Sequence, residues 1–154
     1  MSTTHTTTAR PDRRRSVRVA AMIGVGFMAA VDEIVFHQIL GWHHFVDLAT
    51  PQVGLLSDGV LHSAELVLLV AGFFLLSDLR RRGTLAPRSA CAGLVLGAGG
   101  FQLWDGVVDH KVLRLHQIRY DVDLLPYDLA WNGAALVLLA VGGVLAWRSR
   151  GEGR

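Results

Sequence analysis

The chain has 154 residues, 51% of them hydrophobic and 18% charged, with a formal net charge of +2 and a mean hydropathy of +0.38. That composition excludes a disordered chain, and it strains a soluble reading, because a domain this small cannot hide so much apolar surface. So small a net charge gives no reason to expect a nucleic-acid partner, and a lone cysteine, Cys91, excludes an internal disulfide or a multi-thiolate metal site.

The first 16 residues are Thr-rich and then basic, with Arg10, Arg13, Arg14 and Arg15 before Arg18. The apolar stretch that follows runs into Asp32 and Glu33 without a small-residue cleavage site, so residues 1–16 read as a disordered basic tail before a retained helix. Four apolar segments follow, at about 17–40, 58–76, 88–113 and 126–147. Each reaches the roughly 17–25 residues that cross a bilayer. Gly24, Gly26, Gly97, Gly99 and Gly100 would weaken soluble helices but permit close packing of membrane helices. Cys91 lies in an apolar run and reads as a small packing residue. Residues 148–154 form a short basic tail.

The expected fold is therefore all-α, an integral membrane four-helix bundle over residues 17–147. In a four-span topology both termini and the loop from Arg80 to Arg88 share one side and hold 12 of the 15 Lys and Arg residues. The positive-inside rule makes that side cytoplasmic. The loops 41–57 and 115–125 then face outward, and Trp42, Trp104 and Trp147 fall near the interfaces.

An internal repeat organises the four segments. At an offset of 73, Gly24 pairs with Gly97, Gly26 with Gly99, Asp32 with Asp105, His37 with His110, Leu40 with Leu113 and His43 with His116. The shared pattern is Asp-x4-His-x2-Leu-x2-His. At an offset of 70, Asp58 pairs with Asp128, and Leu66–Leu69 with Leu136–Leu139. Two copies of a two-helix unit are parallel, related by an axis along the membrane normal.

Six of the seven histidines and ten of the thirteen acids fall in or near the outer half. Ionisable groups at membrane depth are costly, so they face the bundle interior and have partners. Asp58, His62 and Glu65 lie on one helical face. Their counterparts in the second copy are Asp128, Asn132 and Ala135, which points to one asymmetric site weighted toward the second helix. Asp105 and Asp109 also share a face, whereas Asp32–His37 and Asp105–His110 are five apart. Residues five apart on an α-helix diverge by about 140°, so they converge only if the helix bends or ends, or else serve neighbouring sites.

Imidazole and carboxylate without thiolate suit Zn, Fe, Mn or Cu(II). Bundle cores build such sites from facing helices, and His62 with Glu65 has the three-residue spacing seen there, in reverse order. The expected ligand set is His37, His62, Glu65 and His110, with Asp32 and Asp105 as ligands or as groups that orient them. Asp58, Asp109, His43 and His116 form a second tier. Competing readings are a haem ligated by His37 and His110, a proton or ion path, and a non-catalytic Asp/His network that fixes packing. Lys111, Arg114 and Arg119 are expected to pair with Asp109, Asp121 or Asp123 and hold the outer loop over the site. Whether the centre is catalytic stays open at this point. Beyond lipid, the partners in view are a homo-oligomer or a respiratory complex.

The stretch Asp32–His44 resembles a family of predicted bacterial membrane proteins known only as a domain of unknown function. Asp58–His62, Trp104–His110 and Leu125–Gly133 carry the same resemblance, which covers about 17–147. It implies a four-span protein of the bacterial plasma membrane and implies no activity or cofactor. Glu33 stands where the second copy has Gly106 and where this motif leads one to expect glycine.

Overall fold

The computed structural model describes residues 9–152. Helix α1 (Arg13–Asp32) continues directly into a π-helix, π1 (Glu33–Ile39). Helix α2 spans Pro51–Arg81. Helix α3 (Pro87–Trp104) again continues into a π-helix, π2 (Asp105–Leu113), and α4 spans Leu124–Arg148 before a short 3-10 turn. No strand occurs among the described residues. Four helical stretches, Arg13–Ile39, Pro51–Arg81, Pro87–Leu113 and Leu124–Gly151, are long and apolar enough to cross a membrane.

Local chemistry sets the helix ends. The Asp12 carboxylate accepts the Arg15 N–H at 2.9 Å, so α1 starts inside the segment expected to be a tail; residues 1–8 lie outside the described residues. Thr50 accepts the Val53 N–H at 3.4 Å, and Pro51 occupies the first turn. That cap starts α2 seven residues earlier than Asp58 and makes it 31 residues long. At about 1.5 Å per residue this exceeds the roughly 30 Å hydrocarbon core, so α2 extends beyond it.

The helices form a row in the order α2, α1, α3, α4. Helix α1 packs on α3, α2 packs on α1, α4 packs on α3, and α2 and α4 do not meet. Glycine makes the central seam possible. A Cβ on Gly24 would lie 2.1 Å from the Leu94 carbonyl oxygen, and one on Gly97 would lie 2.1 Å from that of Ala21. These are one contact made twice, since each partner is shifted by the repeat offset. The flanking seams match as well: a Cβ on Gly26 would lie 3.1 Å from the Glu65 backbone oxygen, and one on Gly99 would lie 3.1 Å from that of Ala135. The two copies are thus related by a pseudo-two-fold through the α1–α3 seam.

Each flanking helix buries only a narrow stripe. On α2 it is Gly54, Asp58, Glu65, Gly72 and Leu79, and on α4 it is Trp131, Ala135 and Gly142. The remaining surface carries exposed Leu55, Val67, Phe73, Phe74, Leu136 and Val137. A helix apolar over most of its circumference is what lipid exposure selects. Cys91 is exposed as well, lining an outward apolar groove with Phe27 and Phe73 rather than packing inside.

Candidate metal centre

The π-helices resolve the five-residue spacing. Closing i→i+5 bonds instead of i→i+4 widens the turn and brings residues five apart onto one side. His37 Nε2 lies 3.7 Å from Asp32 Oδ2, and His110 Nε2 lies 3.3 Å from Asp105 Oδ2. Each π-helix then ends near a residue in the left-handed region, Gly41 at φ 56° and Arg114 at φ 53°. These two positions are again separated by the repeat offset. Both turns double the chain back, and the residue two further on, His43 or His116, re-enters the core.

The four imidazoles obey the pseudo-two-fold. The His43 and His116 rings stack at 4.4 Å with planes 7° apart, so the axis passes between them. His37 lies 4.5 Å from His43, and His110 lies 4.6 Å from His116. The diagonal pairs, His37–His116 and His43–His110, are 5.9 and 6.2 Å apart. Backbone carbonyls orient the central pair. His43 Nδ1 donates to the Ile118 oxygen and His116 Nδ1 to the Phe45 oxygen, both at 2.9 Å. His37 Nδ1 faces carboxylates, Glu33 at 2.8 Å and Asp58 at 3.1 Å.

With Nδ1 committed in all three, Nε2 carries the lone pair of the neutral ring. His37, His43 and His116 each offer a ligand atom within 4.8 Å of the others, and so do Asp105, His110 and His116. The two triads share His116 and form one continuous donor cluster. Every member is 5% exposed or less, as is Asp32. Hydrogen bonding satisfies this cluster only in part: His110 Nε2 and His116 Nε2 share a hydrogen bond at 3.0 Å. His37 Nε2, His43 Nε2, His110 Nδ1, Asp105 Oδ2 and both oxygens of Asp109 lack a hydrogen-bond partner.

The two loop histidines differ electrostatically. Burial, reinforced by the neighbouring imidazoles, pushes the His43 value far below the ordinary one, so this ring is neutral. Burial also opposes charge on His116, but the Asp105 carboxylate and the Phe45 carbonyl outweigh it and raise its value.

The expected ligand residues fall into two places. His37, His110, Asp32 and Asp105 meet in the cluster, together with His43 and His116 from the second tier. His62 does not reach it: its side chain is 58% exposed, and its Nδ1 lies 2.6 Å from Glu65 Oε1. Glu65 itself is buried, with Oε2 lacking a hydrogen-bond partner. Asp58 is saturated, taking His37, His44 Nδ1 at 2.6 Å and the Phe45 N–H at 2.7 Å. Asp109 is fully buried beside the cluster. Two of the basic residues, Lys111 and Arg119, differ from expectation. Lys111 pairs with Asp128 at 2.5 Å. Arg119 lies 4.9 Å over the Trp42 ring and donates to the Tyr127 hydroxyl at 2.8 Å.

Sequence reasoning missed the two orienting carbonyls. The repeat held a signal for the carbonyls, because Phe45 and Ile118 are also 73 apart. Residues 19–149 match the family described as "Predicted membrane protein (DUF2243)", and the chain belongs to that family. No curated protein and no solved structure matches it.

Proposed function

We propose that this membrane protein of the DUF2243 family holds a divalent first-row transition metal in the His37, His43, His110, His116 and Asp105 cluster. The observation that carries this reading is the set of three buried imidazoles, His37, His43 and His116, whose Nδ1 atoms are tied to carbonyls or carboxylates and which each offer a ligand atom within 4.8 Å of the others. Metal-ligating histidines are oriented in this way by their second nitrogen. A network built only for packing would pair its buried polar atoms, and this cluster leaves four of them, His37 Nε2, His43 Nε2, His110 Nδ1 and Asp105 Oδ2, without a hydrogen-bond partner. All donors are nitrogen or oxygen, which suits Zn, Fe, Mn or Cu(II) over Cu(I). Asp32 and Asp58 serve as orienting carboxylates, Asp58 holding His37 Nδ1.

The haem reading is disfavoured. The His43 ring stands 4.5 Å from His37 and 6.2 Å from His110, in the space a porphyrin would need. Near-complete burial favours a metal that is held, handed on or used for electron transfer over hydrolysis of a bulky substrate. The basic end of the row is cytoplasmic by the positive-inside rule, so the centre sits in the outer half of a bacterial plasma membrane. Elemental analysis of the purified protein beside His43→Ala and His116→Ala tests the reading. Metal in the parent and its loss from both variants is expected; negligible metal in all three would overturn it.

A further inference from the structure

The donors of the cluster are buried, so a metal needs a way in. Beside the cluster lies a cavity of about 300 Å³ lined by Glu33, Gln38, Leu55, Asp58, Gly59 and His62. It is one residue away from the cluster: Glu33 and Asp58 both face the cavity and both contact His37 Nδ1, at 2.8 and 3.1 Å. Glu33 is 1% exposed and sits at its inner wall. At its rim, His62 is paired with Glu65, a buried carboxylate with one oxygen free of hydrogen bonds. Counting up α2 from Leu79 at the arginine-rich end, about 20 residues cross the hydrocarbon core, which places Gly59 and His62 where outer lipid meets water.

The second copy is built differently at the corresponding place. Its counterparts of Glu33, His62 and Glu65 are Gly106, Asn132 and Ala135. A Cβ on Gly106 would lie 2.5 Å from Asn132 Oδ1 and 2.7 Å from Trp131 Cδ1, so α4 fills the corresponding space. Where the first copy has Gln38, the second has Lys111, an ammonium fixed on Asp128 at 2.5 Å. One side is open, anionic and lined with stepwise nitrogen and oxygen ligands; the other is filled and carries a cation.

Resting on the metal-holding function above, we propose that this cavity is the port through which a divalent cation from the outer side reaches the cluster. His62 and Glu65 capture it first, and Glu33 passes it inward past His37. Glu33, unexpected in the motif, thereby gains a role.

The test is the rate at which metal-stripped, detergent-purified full-length protein takes up Co²⁺, followed by its optical absorption. Gly59 has open space around its Cα, so Gly59→Phe plugs the port without touching the cluster. It should slow uptake while leaving the final stoichiometry unchanged. Glu65→Gln, which tests the charge independently of any folding defect in the first variant, should slow uptake on the order of 10-fold, as lost electrostatic steering does. Leu129→Phe, at the position matching Gly59 in the second copy, should load like the parent. Parental uptake rates in both port variants would overturn the port and leave the metal centre standing. A parent that takes up no Co²⁺ would overturn the metal reading and the port together.

Discussion

The two halves of the molecule agree at their centre and differ at their edges. Around the pseudo-axis, His43 and His116, the carbonyls of Ile118 and Phe45, and the contacts of Gly24 and Gly97 are mirrored closely. Away from it the copies part: Glu33 corresponds to Gly106, His62 to Asn132, and a buried Asp58 to an Asp128 salt-bridged to Lys111. Symmetry is kept around the stacked His43 and His116 rings and lost at the flanks. Duplication of a two-helix unit supplies both: it brings two Asp–His pairs to one axis, and it leaves two flanks free to diverge.

If the centre is symmetric in function, removing a central ligand from either half should have the same large effect. His43→Ala and His116→Ala should each cost more metal affinity than the roughly 10–100-fold of losing an orienting partner, as read by equilibrium titration. Unequal losses would break the equivalence. The α1–α3 seam makes a similar demand on stability. Gly24→Ala and Gly97→Ala each push a methyl group against a carbonyl at 2.1 Å. Each should lower stability by about 1–3 kcal/mol in denaturant-induced unfolding in detergent, whereas Gly133→Ala, with open space around it, should not.

The flanks should respond unequally. Asp58→Asn removes the carboxylate that holds His37 and His44, so metal affinity should fall by roughly 10–100-fold, while Asp128→Asn should leave it nearly unchanged. The smallest difference lies at the opposite end. There Glu152 accepts the N–H groups of Arg88 and Ser89 at 3.0 and 2.8 Å and so caps α3, an arrangement that Ser16, the partner of Ser89, does not share. Burial works against the Glu152 charge, but these hydrogen bonds outweigh it and lower its value. The cap is thus fully present above the ordinary glutamate value of about 4.3 and is lost as pH falls through the lowered one. Amide exchange at Arg88 and Ser89 should speed up below that point, and Glu152→Gln should abolish the pH dependence, for no more than about 1 kcal/mol.

The spans and the repeat were legible because each leaves a spacing in the sequence. The π-helices were not. A periodicity of 3.6 carries no mark of where bonding shifts to i→i+5, so Asp32 and His37 looked divergent. His43 and His116 were ranked low because they follow the apolar segments, and only the left-handed turns at Gly41 and Arg114 bring them back. His62 was ranked high because it shares a face with Asp58 and Glu65. In a row of helices, however, α2 buries a stripe at Asp58, Glu65, Gly72 and Leu79, and its seven-residue step passes His62 by. The row itself depends on which helices stay apart, and no single helix encodes that.

The central claim is that the buried imidazoles share one metal. X-ray absorption at the metal edge of the purified protein tests it most directly. A shared metal gives nearest neighbours of nitrogen and oxygen at about 2.0–2.2 Å, with more distant scattering from at least three imidazoles that weakens in His43→Ala and is kept in His62→Ala. A protein without a metal edge, or a shell whose imidazole scattering is lost in His62→Ala and unchanged in His43→Ala, would contradict it.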